Sequence, residues 1–124
     1  MAENLDEIYA EATRLLEGFK AIPFEDCCPL SKEFNELPSQ PGIYALKHQA
    51  LGILYIGKSG NVKGRWRGGH KALGWAFIDR MNPDDVRIAV ATLTFRWTRL
   101  SLQLERTMLR QALPPYNQRI GQEE

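Results

Sequence analysis

Carboxylates are scarce where the chain is otherwise most highly charged. Between residues 41 and 120 there are only Asp79, Asp84, Asp85 and Glu105, against thirteen lysines and arginines. Residues 1–40 reverse the balance, with nine acids against three bases, and the formal net charge of +1 conceals the division. Such asymmetry points either to a polyanionic partner for the basic part or to a solvated basic surface, and charge alone does not choose between them. Cysteine is equally short. Cys27 and Cys28 are adjacent, a poor arrangement for a staple, and with two distant histidines they make no zinc-site spacing. Long apolar runs are missing as well, so nothing resembles a transmembrane span. The start, MAENLDEIYAEATRLLEGF, alternates acids with apolar residues and lacks the basic and unbroken apolar regions of a secretory leader, so the expected location is cytoplasmic, away from any membrane.

What remains is an ordinary globular composition, 44% hydrophobic and 25% charged over 124 residues, enough for one compact core. Leu5, Ile8, Tyr9, Ala12, Leu15, Leu16 and Phe19 recur at helical spacing, with Asn4 and Glu7 as a variant capping box. Pro23, Pro29, Pro38 and Pro41 then suit an extended, turning connection. From Pro41 the pattern becomes that of a hairpin: Gly42 to Lys47 and Gly52 to Gly57 are rich in Ile, Leu and Tyr. A four-residue loop over 48–51 places Tyr44 opposite Tyr55, on the same face. Asn61 can cap a helix running toward Asp79 or Arg80, with a break or tight packing at Gly64, Gly68 and Gly69. VRIAVATLTF after the Asn82–Asp85 turn reads as a central strand, and a last helix runs from about Thr98 to Ala112, stopped by Pro114-Pro115.

On that last helix Glu105 falls in the middle of a face made by Leu102, Met108, Leu109, Ala112 and Leu113, while Arg99, Gln103, Arg106 and Arg110 collect on the other side. An inward carboxylate is costly unless it is paired or binds a metal, so a structural ion pair with an arginine and a metal site are both open. Lys58 stands in the turn before the helix carrying Arg65 and Arg67, where amides and cations favour a phosphate; surface solvation is the plainer alternative. Trp66 and His70, four apart, can stack on one another.

These residues fall in the order of a known family. Gly42-Ile43-Tyr44, Tyr55-Ile56-Gly57-Lys58, Arg65-Trp66, Glu105 and Asn117 after Pro114-Pro115-Tyr116 together resemble the GIY-YIG nuclease superfamily over roughly residues 38–119. The resemblance implies an α+β fold with a central three-stranded antiparallel sheet flanked by helices. The N-terminal amphipathic helix lies outside it, so the chain divides into an acidic helix and connection over 1–37, a nuclease domain over 38–120 and a tail over 121–124.

It also implies a divalent-metal-dependent endonuclease acting on DNA, with RNA as an alternative polymer and with structure-based or low sequence specificity. By analogy Glu105 holds one Mg2+ or Mn2+, Tyr44 is the general base, Tyr55 and Lys58 position water and phosphate, and Arg65 stabilises the transition state. His70 joins this catalytic set with a departure from the pattern. Many relatives carry a histidine or tyrosine four residues after the helix arginine, where this chain has Gly69. On an unbroken helix His70 points about 140° away from Arg65, so it reaches the site only if Gly68-Gly69 distorts the helix. Lys58, Lys63, Arg67, Lys71 and Asn117 are the expected substrate-binding residues. A catalytically silent nucleic-acid-binding module is the competing reading. For residues 1–40 the expectations are packing against the core or its basic face to limit DNA access, or homodimerisation through the N-terminal helix.

Overall fold

The computed structural model describes residues 5–31 and 33–118. The first helix, α1 (Leu5–Ala21), buries Ile8, Ala12, Leu15, Leu16 and Phe19, the stripe its periodicity requires. Leu5 and Tyr9, also in that stripe by spacing, remain 77% and 60% exposed. Asn4, the expected cap, lies outside the described residues.

Beyond α1 the chain forms β1 (Cys28–Pro29), β2 (Gly42–His48), β3 (Gly52–Ser59), α2 (Val62–Arg67), α3 (Lys71–Ile78), β4 (Val86–Thr92), α4 (Phe95–Arg99) and α5 (Ser101–Ala112). The sheet is ordered β1-β4-β2-β3 and every pairing is antiparallel. The expected three strands are thus present, widened by a two-residue strand where Pro29, which lacks an N–H, sits at the edge. The single helix expected from Thr98 is instead the two segments α4 and α5, divided at the buried Leu100.

The hairpin register differs from the sequence expectation. The turn spans three residues between the paired His48 and Gly52, and a bulge follows, because Lys47 pairs with Ile53 while Leu46 pairs with Tyr55. Tyr44 therefore faces Gly57, and Tyr55 is its diagonal neighbour. One extra residue in the bulge compensates the odd turn, so the side-chain alternation is restored and both tyrosines still project from one face. Their rings stack with centroids 6.3 Å apart.

Alternation along β2 separates two cores. Ile43 and Ala45 join Ile8, Leu16, Phe19, Leu104 and Met108 under α1 and α5. Tyr44 and Leu46 join Trp66, Trp75, Ile88 and Tyr116 on the other face. Residues of α1 pack against the core on the face away from Tyr44, while Glu33, in the acidic connection that follows, reaches Arg67 on α2. Apart from Leu5 and Tyr9, the apolar stripe of α1 is buried inside its own chain. Lys47, only 8% exposed, fastens the arrangement by donating to the carbonyls of Phe19 (2.7 Å) and Ile22 (2.9 Å) at the end of α1, where a cation satisfies orphan acceptors and meets the favourable end of the helix dipole. One of the thirteen cations is therefore structural.

Candidate active site

Tyr44 is 2% exposed, and the glycine facing it explains how it fits. A Cβ on Gly57 would lie 2.7 Å from the Tyr44 hydroxyl, so the tyrosine ring occupies space that only glycine leaves open. Its hydroxyl meets Nε2 of His70 at 3.0 Å. His70 arrives there because the helix breaks as the sequence condition demands: α2 ends at Arg67, Gly69 adopts φ +93°, and His70 precedes the first turn of α3. The imidazole then stacks on Trp66 with centroids 4.3 Å apart and lies edge-on to Tyr55 at 4.9 Å.

Hydrogen bonding fixes the protonation of this pair. Nδ1 of His70 accepts the Ala72 N–H at 3.1 Å, so in the neutral ring the proton is on Nε2 and donates to the Tyr44 oxygen. The Tyr44 hydroxyl hydrogen is left to point elsewhere. Burial first, and the Arg65 charge second, lower the His70 pKa to about 4, so the ring is neutral at pH 7. Burial, the neighbouring Tyr55 and Glu105 push the Tyr44 pKa well above its usual value, while Arg65 opposes them. Tyr55 is raised by burial and Glu105, again against Arg65. Arg65 is exposed and donates to the Gly69 carbonyl at 2.7 Å, so the guanidinium also braces the glycine break.

A pH dependence follows from His70. Its folded pKa lies below the ordinary histidine value of 6.5, so the unfolded chain binds more protons between about pH 4 and 6.5. The stability contributed by the neutral ring is complete above pH 6.5 and is lost as pH falls toward 4. Urea unfolding across that range should give a slope that His70→Gln flattens, with the two proteins diverging by on the order of 3 kcal/mol or less. Parallel profiles would show that His70 titrates normally.

Glu105 comes from the opposite side of the sheet. It is not centred on the buried face of α5 as expected; Leu104 and Met108 hold that face, Leu102 and Leu113 are exposed, and Glu105 is half-buried at its margin. The backbone N–H of Lys58 favours the ionised carboxylate. Asn117, two residues along the same edge, accepts from the Ile56 N–H and donates to the Ile56 carbonyl, both at 2.8 Å. These bonds have a common cause. β3 is an edge strand, so alternate residues direct their backbone groups outward, and Ile56 and Lys58 are successive members of that set. The open edge lets residues from both faces meet, and the Glu105 charge is felt at Tyr44 and Tyr55.

Asn117 thus holds the β3 edge through neutral hydrogen bonds, its amide oxygen and nitrogen both engaged by Ile56. Lys58 is exposed beside Glu105. Lys63, Arg67 and Lys71 lie outside the cluster, on α2 and at the start of α3, and Arg67 is paired with Glu33 at 3.1 Å, an exposed contact that a phosphate can displace. The Glu33–Arg67 contact and the Lys47 anchor are features that the sequence reading did not identify.

Of the two explanations for Glu105, the arginine pair does not form: among the described residues no ion pair reaches this carboxylate. Burial raises its pKa, with the charges of Lys58 and Arg106 and the Lys58 N–H opposing. A half-buried carboxylate that forms no ion pair among the described residues is the donor that a hard divalent ion would stabilise. Among the described residues no group of three histidine, cysteine or carboxylate side chains forms a metal cluster, so the fitting chemistry is an ion held by one carboxylate with water and substrate oxygens.

A family described as the GIY-YIG catalytic domain matches residues 40–117, the span from the start of β2 to the Asn117 clamp. The chain belongs to the GIY-YIG family. This is a family of nucleases, and the antiparallel sheet, flanking helices and diagonally stacked tyrosines are its fold as realised here. The chain is also similar to UvrABC system protein C from Chlorobium chlorochromatii (strain CaD3), 28% identical over 92 residues. That alignment covers 71% of this chain and 14% of the relative, so the chain spans about one seventh of that protein. Among the described residues no helix of this GIY-YIG chain is long and apolar enough to cross a membrane.

Proposed function

We propose that this GIY-YIG chain is a divalent-metal-dependent endonuclease that hydrolyses DNA phosphodiester bonds, selecting substrates by structure more than by sequence. The observation carrying this reading is the meeting of Tyr44, Arg65, His70, Lys58 and Glu105 at the open edge of β3. Glu105 would hold one Mg2+ or Mn2+, which when bound supplies positive charge to the scissile phosphate and the leaving oxygen. Tyr44 takes the proton of the attacking water as its phenolate, which the His70 Nε2–H and the Arg65 charge favour. Arg65, exposed at the surface, exchanges the Gly69 carbonyl for a phosphate oxygen and stabilises the negative charge that grows there. Tyr55 and Lys58 orient water and phosphate at the same edge. High sequence specificity is not expected of a domain this small acting alone.

The test is incubation of the purified chain with supercoiled, flapped, branched and single-stranded DNA in Mg2+, Mn2+ or EDTA. Metal-dependent nicking of at least one substrate is expected. Salt-sensitive DNA binding without cleavage under any condition would replace the enzyme by a binding module, because counterion release needs only the cations.

A further inference from the structure

A second feature lies beside this site. A cleft of about 620 Å³ runs between α1 and α5, with Leu5 and Tyr9 on one wall and Gln103, Arg106 and Arg110 on the other. Leu5 and Tyr9 belong by spacing to the buried stripe of α1, yet they are left exposed at the cleft. Arg106 and Arg110 are exposed too, and among the described residues neither forms an ion pair. The carboxylates flanking Tyr9 in sequence are already occupied: Glu7 is bound to Arg96 and Glu11 to Arg14. The cleft therefore offers exposed guanidinium groups beside an exposed aromatic ring.

That combination is what unpaired nucleic acid recognises, cations along the backbone and a flat ring for a base. The position is equally specific. Arg106 follows Glu105 and its charge stabilises that carboxylate, so one residue of the cleft wall neighbours the proposed cleavage edge. Within α5, Gln103, Arg106 and Arg110 follow one another at three to four residues per step along the cleft wall.

We propose that the α1–α5 cleft receives an unpaired nucleic-acid strand extending from the Glu105 edge, with phosphates on Arg106 and Arg110 and a base on Tyr9. This rests on the nuclease reading and narrows its substrate to DNA carrying a single-stranded arm. It also gives α1 a role in substrate binding in place of the expected obstruction.

Binding can be measured without catalysis. Fluorescence anisotropy of the full chain in EDTA, over a salt series, compares a labelled 12-nucleotide oligothymidylate with a 12-base-pair duplex. Tighter binding of the single strand is expected. Arg110→Gln should weaken it and reduce the log–log salt slope by about 0.7, and Tyr9→Ala should weaken it roughly 5- to 100-fold. Both side chains are exposed, and circular dichroism melts establish that the variants fold. Unchanged oligothymidylate affinity in both folded variants overturns the proposal. So does a homodimer that Tyr9→Ala dissociates without affecting oligonucleotide binding, which would assign the cleft to a second copy. Flap cleavage by the wild type with these binding results negative would remove the cleft and leave the nuclease standing; cleft-dependent binding with no cleavage of any DNA would do the reverse.

Discussion

Glutamine at position 105 is expected to abolish cleavage and, in the same protein, to raise the melting temperature in EDTA. The two effects share one cause. Burial holds the Glu105 pKa above its ordinary value even though Lys58 and Arg106 oppose the shift, so the ionised side chain is a cost to the metal-free fold. The folded state binds the proton more tightly than the unfolded chain, and this contribution to stability falls as pH rises through the raised pKa. Glutamine keeps an oxygen for the Lys58 N–H and removes the charge. Each 1 kcal/mol recovered is worth roughly 4 °C in a domain of this size. Loss of the ion that Glu105 would hold, at several kcal/mol of transition-state stabilisation, corresponds to about a thousandfold or more in rate. Single-turnover flap cleavage and scanning calorimetry measure the pair of effects. A destabilised but active variant would make Glu105 a structural residue.

Tyr44→Phe is expected to slow cleavage by about 10²–10⁴ and to erase the alkaline rise of the rate. In the wild type the raised pKa keeps the phenolate scarce at neutral pH, so the rate should climb about tenfold per pH unit above neutrality. Phenylalanine fills the space over Gly57 but leaves the His70 Nε2–H without its acceptor, a loss of about 1–3 kcal/mol in stability. His70 cannot replace the missing base, because its free lone pair is committed to the Ala72 N–H. A pH–rate profile with unchanged slope in Tyr44→Phe would assign water activation to another group.

Much of this site was legible in the sequence because it depends on parity and period. Tyr44 and Tyr55 share a face under any register shift of two, so the wrong pairing still gave the right neighbours. The reach of His70 was legible as a condition, a break at Gly68-Gly69, and the left-handed Gly69 supplies it. Glu105 illustrates the limit of the helical wheel. Its spacing placed it at the centre of a face, whereas division of the segment at Leu100 and the fit of Leu104 and Met108 move it to the margin. The bonding of Asn117 to the β3 edge was not legible, since which strand lies outermost depends on sheet order, a long-range property that local pattern does not carry. Lys47 could have been read: it alternates with Ile43 and Ala45, which places it on the inner face, and charge counting concealed it. The cleft between α1 and α5 depends on the packing of elements almost a hundred residues apart, tied by the Gln111–Thr13 hydrogen bond, and no motif announces it.

The central claim is that a divalent ion at Glu105 drives the chemistry at the β3 edge. A Mn2+ titration of wild type and Glu105→Gln, following melting temperature and flap cleavage together, tests it most directly. The account predicts that wild-type stability and rate rise over the same Mn2+ range, and that Glu105→Gln shows neither rise while still binding DNA. Equal titrations of both quantities in the two proteins would contradict it.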